Sequence, residues 1–357
     1  MKLFDCRNCG SLLYFENTAC ERCRFPVGYH PRGGDMAALH RNGDGDGFRC
    51  VGVSEQPVRF CANAGYGACN WLVPADGGER FCLACRHNRT VPDLSDPELL
   101  ALWRRLEQAK RRLFYSLLHL DIPLPNRIDD PAHGLAFDFL SDRPGGPKVL
   151  TGHDDGLVTI NVREGDDAHR EAMRHRMGEP YRTLLGHFRH EIGHWIWNRL
   201  VRDGGRLDAF RDAFGDERAD YAAALERHYR DGAPADWQER SISAYATAHP
   251  WEDFAETWAH YLHIMDTLET ANAFGLGVHP RVSAADGLDV NVAIDPYRTA
   301  DMGRIVAQWL PLVFAVNSLN RSMGLGDLYP FVISQPVQRK LGFVHRLVHA
   351  DTRGGAP

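Results

Sequence analysis

Apolar positions fall into three regimes along the chain. Over about the first 90 residues they are scattered among Cys, Gly and Arg with no sustained period, so short strands and loops are expected there, held by something other than a hydrophobic core. The boundary falls at Thr90-Val91-Pro92-Asp93, dividing a Cys-rich module, 1–90, from a larger domain, 91–357. Leu99, Leu102, Trp103, Leu106, Leu113 and Leu117 then recur at helical spacing, with Arg104, Arg105, Gln108, Arg111 and Arg112 opposite them. This is the pattern of an amphipathic helix whose basic side faces water. Ser95-Asp96-Pro97-Glu98 ahead of it reads as a capping box, with Ser95 as N-cap. Residues 134–140 and 157–162 are β-rich or alternate, bounded by Gly, Asp or Pro, and predict strands of a small sheet. Beyond residue 166 the period is helical again, with helices expected near 166–177, 181–200, 216–230, 251–270, 301–321 and 336–349, and a Gly-rich loop at 275–287. The fold class is therefore α+β, mostly helical with a small sheet.

Cysteine usage explains what replaces the missing core. All nine cysteines precede residue 86. Cys6-x-x-Cys9 and Cys20-x-x-Cys23 form two knuckles that together make a tetrahedral thiolate site for zinc. Cys82-x-x-Cys85 is a third knuckle whose partners come from Cys50, Cys61 and Cys69; Cys61 and Cys69 are preferred, which leaves Cys50 over. Such usage suits a reduced, cytoplasmic protein. The run Asn42-Gly-Asp44-Gly-Asp46-Gly47 resembles the start of a calcium loop, but Val53 stands where the bidentate Glu belongs, so a flexible turn is expected.

Charge and hydropathy exclude other classes. Lys+Arg 41 against Asp+Glu 47 gives a net charge of −6, unlike a chain that coats nucleic acid or an anionic membrane. The longest apolar run near the C-terminus is the eight residues 309–316, short of the roughly twenty a spanning helix needs, and no apolar stretch precedes the first cysteines as a signal peptide would.

The chemistry concentrates at His190-Glu191-Ile192-Gly193-His194, an HExxH motif. Residues four apart share a helical face, so both imidazoles can reach one zinc ion, with Glu191 beside them to act on water. Trp197 and Leu200 occupy the places where a third histidine ligand would need Gly and His, so a carboxylate from a later helix must complete the set. Glu252 and Glu256, four apart, can supply it: either could bind metal while the other bonds a ligand imidazole. Asp216, Glu217 and Asp220 are rival ligands, though a salt-bridged face accounts for them better. His187, one turn before His190, is expected to pack or support rather than ligate, and His249, His260 and His263 to be structural.

Residues 181–265 resemble the gluzincin metallopeptidases, most closely the anthrax-lethal-factor-like branch, in which a Tyr precedes the ligand Glu by seven residues within an E-x-F-A-E segment. Tyr245, Glu252 and Glu256 match that spacing. The resemblance implies Glu252 as third ligand, Glu256 bonded to a ligand imidazole, and Tyr245 as hydroxyl donor to the oxyanion. The whole chain, with its Cys-Asn-Trp-Leu-Val segment, also resembles a bacterial family of zinc-binding metallopeptidases with an N-terminal zinc ribbon. One catalytic and two structural zinc ions are expected, with a peptide or protein substrate, a protein partner at the zinc ribbon, and neither nucleic acid nor membrane. Two alternatives stay open: a zinc-ribbon binding protein whose HExxH domain is catalytically idle, and a zinc hydrolase acting on a non-peptide amide.

Overall fold

The Cys-rich segment builds more sheet than its scattered apolar residues suggest. The computed structural model describes residues 1–42, 47–54, 56–142, 145–177, 181–282 and 287–351. They pack into two compact units, Met1–Leu118 with Pro123–Arg170, and His119–Ile122 with Glu171–Pro357. The centre of the calcium-like run lies outside the described residues.

In the first unit, β1 (Phe4–Asp5) and β2 (Leu12–Leu13) form a hairpin. An antiparallel meander follows: β3 (Val27–His30), β4 (Asp35–Arg41), β5 (Phe48–Val51), β6 (Val58–Phe60) and β7 (Leu72–Pro74). A parallel bridge between Tyr29 and Trp71 brings its two edges together. Ala37, Leu39, Cys50, Val58 and Leu72 fill its interior, so the module has a hydrophobic core after all. Cys50 is one of its members: it packs as a small apolar side chain, and burial pushes its thiol up to about 11. Next come β8 (Asn88–Thr90), α1 (Pro97–His119), β9 (Ala136–Leu140), β10 (Gly152–Asp154) and β11 (Leu157–Asn161). These strands form one sheet in the order β10-β11-β9-β8, with β9 parallel to both neighbours.

Helix α1 departs from expectation twice. Its cap is Asp96, whose Oδ1 accepts from the backbone N–H of Glu98 (2.8 Å) and Leu99 (3.3 Å), while Ser95 donates to Asp93. Pro97 at the first helical position needs no hydrogen-bond partner, which favours starting there. Its basic side is not simply solvated either. Arg104 Nε donates to the Tyr66 carbonyl at 2.5 Å, Arg111 to the Ala68 carbonyl, and Arg112 to Glu16 at 2.6 Å, so these arginines bind α1 to the Cys-rich segment.

The second unit is helical. Its elements are α2 (Asp167–Met177, spanning the division), α3 (Leu184–Ile196), α4 (Leu207–Phe214), α5 (Tyr221–Asp231), α6 (Trp237–Arg240) and α7 (Pro250–Ala273), then the strand pair β12 (Gly277–Val278) and β13 (Val290–Asn291), α8 (Met302–Ser322) and α9 (Gln335–Asp351). α3 runs on as a π-helical turn, Trp197–Arg202. α4 and α6 were not expected, and the helix expected from 216 begins at Tyr221. Among the described residues α8 alone is long and apolar enough to cross a membrane by length and composition, and 44% of its apolar window is buried in the fold.

α3 lies against α7, with Phe188, Ile192, Phe254 and Trp258 fully buried. Gly193 permits the approach: a Cβ there would stand 2.8 Å from Ala255 Cα. Behind this pair, Lys340 of α9 reaches Asp253 at 2.5 Å, and Arg189 pairs with Asp266. Gly193→Ala should therefore cost about 1–3 kcal/mol by overpacking. A lower urea midpoint for the variant is the expected reading, and an unchanged midpoint would show that the two helices have slack.

Candidate metal centre

Two caps set the phase of the helices that carry the site. Thr183 Oγ1 accepts from Gly186 N at 3.0 Å and starts α3, which turns His190 and His194 toward α7. His249 Nδ1 accepts from Trp251 N at 3.1 Å, and Pro250 follows as the first helical residue of α7. Glu252 and Glu256 then lie one turn apart on the side facing α3.

The side chains converge. Glu252 Oε2 stands 3.0 Å from His190 Nε2 and 3.5 Å from His194 Nε2. That oxygen is buried, yet has no aligned hydrogen bond among the described residues. A buried carboxylate oxygen set between two imidazole nitrogens, with no aligned hydrogen bond, fits a shared cation, and two nitrogens with one oxygen suit zinc. Glu256 sits behind His190: its Oε1 is 2.7 Å from His190 Nδ1, and its Oε2 accepts from Ser243 Oγ at 2.6 Å. This fixes the His190 ring with Nε2 toward the cluster. Burial alone would lower the His190 pKa, but the Glu252 and Glu256 carboxylates outweigh it and raise it. Burial would raise both carboxylates, but His190, helped by His260 and Ser243, holds Glu256 down at about 2, and His194 with His190 holds Glu252 below the usual carboxylate range.

Glu191 is buried, with His187 Nε2 3.5 Å from its Oε1. Tyr245 places its ring 5.8 Å from that of His190. The rival acids are otherwise occupied: Asp216 pairs with Arg218 at 2.8 Å, Glu217 with Arg211, and Asp220 caps α5. The remaining histidines hold the fold. His249 Nε2 meets the Ala219 carbonyl at 3.0 Å, His260 Nδ1 meets Tyr329 OH at 2.8 Å, and His263 Nδ1 meets Arg189 at 2.6 Å.

Three neighbours were not foreseen. Tyr221 donates its hydroxyl to Glu252 Oε1 at 2.6 Å, Ser243 donates to Glu256, and Trp251 lies 3.9 Å from the His194 ring, centroid to centroid. Trp251 could have been suspected from its place beside Glu252. Tyr221, 31 residues before Glu252, carries no local signal.

The cysteines gather as two groups, Cys6, Cys9, Cys20, Cys23 and Cys61, Cys69, Cys82, Cys85. Sulfurs are 3.7 Å apart for Cys6 and Cys23, for Cys9 and Cys20, and for Cys69 and Cys82. Four sulfurs around zinc at 2.3 Å would stand roughly 3.8 Å apart, and a disulfide needs about 2 Å. Burial pushes Cys6 up to about 12, and Cys69 and Cys82 well above the thiol range, so a cation is what would keep them ionised.

A family model described as "Putative zinc-binding metallo-peptidase" matches residues 99–347, and a zinc-ribbon domain model matches residues 3–96. Proteins of Mycobacterium tuberculosis and Mycobacterium bovis, each named as uncharacterized, are 44% identical over 349 residues, spanning 98% of this chain and 95% of their own. No solved structure matches.

Removing the partner behind His190 should loosen the site. Glu256→Ala is expected to weaken zinc affinity about 10–100-fold. Competition against a chromogenic chelator reads this directly, and wild-type affinity would show that Glu256 has no part in orienting the ring.

Proposed function

From a chain that belongs to this zinc-binding metallopeptidase family, we propose a peptide-bond hydrolase of the gluzincin type, with zinc held by His190, His194 and Glu252. The reading rests on one observation: two imidazole Nε2 atoms and one buried carboxylate oxygen converge while Glu191, beside the first imidazole, is left outside the cluster. Zinc in this place supplies a polarised substrate carbonyl and an acidified water.

The chain's own residues do the rest. Glu191 takes the proton of the attacking water and returns it to the departing amine, a role for which a buried carboxylate next to the water is suited. Tyr245 donates its hydroxyl to the oxyanion; none of its hydrogen-bonding capacity is taken up among the described residues. Glu256 and Ser243 keep the His190 ring from turning. Trp251 lies against His194 and shields that side from solvent. The two cysteine groups each hold a structural zinc ion, and their need for reduced thiols suits a cytoplasmic protein.

Glu191→Gln separates holding metal from using it. The variant should keep wild-type zinc content and lose cleavage of a mixed peptide library by at least about a hundredfold. Retained cleavage would remove Glu191 as the base, and cleavage absent in the wild-type chain as well would favour a binding role or a non-peptide amide.

A further inference from the structure

Glu252 has two oxygens with different surroundings. Oε2 faces both imidazoles, whereas Oε1 accepts a hydrogen bond from Tyr221 OH at 2.6 Å. The carboxylate is wholly buried, while Tyr221 is 38% exposed. The tyrosine therefore reaches the carboxylate from the solvent side of the cluster.

We propose that Tyr221 is a positioning residue for the metal: by taking Oε1, it leaves Glu252 to offer the ion a single oxygen, Oε2. The proposal rests on the metal-binding part of the reading above and not on the reaction.

The consequence lies in coordination number. Zinc with two His, one carboxylate oxygen and one water is four-coordinate, and the water position is the one the chemistry needs. A carboxylate bound through both oxygens takes up a further position at the ion. A hydrogen bond to Oε1 opposes that change, because the rotation would break a charge-assisted bond in a dry setting.

The placement of Tyr221 is built, not incidental. It is the first residue of α5, directly after the Asp220 cap, whose carboxylate accepts from Ala223 N at 3.0 Å. The ion pairs of Asp216 with Arg218 and Glu217 with Arg211 shape the turn before it. Its ring is packed against His249 at 5.2 Å and Trp251 at 5.7 Å, centroid to centroid. His249 in turn caps α7 just ahead of Glu252 and reaches back to the Ala219 carbonyl. The two ends of one hydrogen bond are thus held by helices that brace each other.

Tyr245 makes the contrast. It lies near His190, but its hydroxyl is not committed to a side chain among the described residues. The two tyrosines should therefore separate experimentally, with Tyr221 acting on the metal and Tyr245 on substrate.

Cobalt(II) loaded into the full-length holoprotein in place of the open-site zinc tests this without any substrate. Spectra taken as a difference against a His194→Ala chain subtract whatever cobalt the cysteine sites hold. Tyr221→Phe should weaken the visible absorption, as a rise from four to five ligands does, and lower cobalt affinity about 10–100-fold. Tyr245→Phe should leave both unchanged while lowering kcat on a cleavable peptide. A Tyr221→Phe chain with wild-type spectrum and affinity overturns the proposal. Should Phe prevent folding, Tyr221→4-aminophenylalanine decides: it keeps the ring and sets an N–H donor in the place of the hydroxyl, so a wild-type spectrum supports the proposal and a weakened one overturns it. Because neither readout involves cleavage, absence of peptidase activity would count against the reaction alone.

Discussion

The contact between Gly193 and Ala255 sets the scale of the whole centre. Donors from two helices can share an ion only if the helices come closer than ordinary side chains allow. Here a single added carbon at 193 would stand 2.8 Å from the Ala255 backbone. The two unspecified positions of HExxH are therefore far from free: Ile192 is fully buried and Gly193 is the point of approach. The histidines and glutamate are the candidate ligands, and the residues between them decide whether those ligands can be brought together.

Assembling it brings two imidazoles and two carboxylates out of water, and the surrounding hydrogen bonds are what make this tolerable. Ser243 donates to Glu256, Glu256 meets the far side of His190, and Tyr221 donates to Glu252. Each carboxylate keeps one oxygen for a supporting group and turns the other to an imidazole. The cysteine groups follow the opposite logic. Four sulfurs fill a tetrahedron and leave no place for substrate, which suits an ion that only holds chain segments together. In the first unit α1 completes that work, its Arg104 and Arg111 gripping carbonyls at Tyr66 and Ala68, close to the second cysteine group.

What could be read from the sequence was local in origin. Helical period located α3, α7, α8 and α9 to within a few residues, and the four-residue spacings picked out the His and Glu pairs that the fold brings together. Cysteine spacing likewise selected the two groups. What stayed hidden depends on contacts between distant segments. The arginines of α1 look like a solvated face until carbonyls some forty residues earlier are placed beside them. The closed meander depends on Tyr29 meeting Trp71, and Cys50 is explained only by the interior which that closure creates. Tyr221 falls in the same class: it stood in a segment of suspected acidic ligands, yet the acids make local ion pairs and the phenol reaches Glu252.

The central claim is that one zinc ion sits between α3 and α7, separate from two that sit among sulfurs. Anomalous diffraction at the zinc absorption edge, on crystals of the full chain grown without chelator, tests it most directly. The account predicts three peaks, one of them within bonding distance of His190 Nε2, His194 Nε2 and a single oxygen of Glu252. Peaks at the cysteine groups alone, in crystals supplied with zinc, would contradict it.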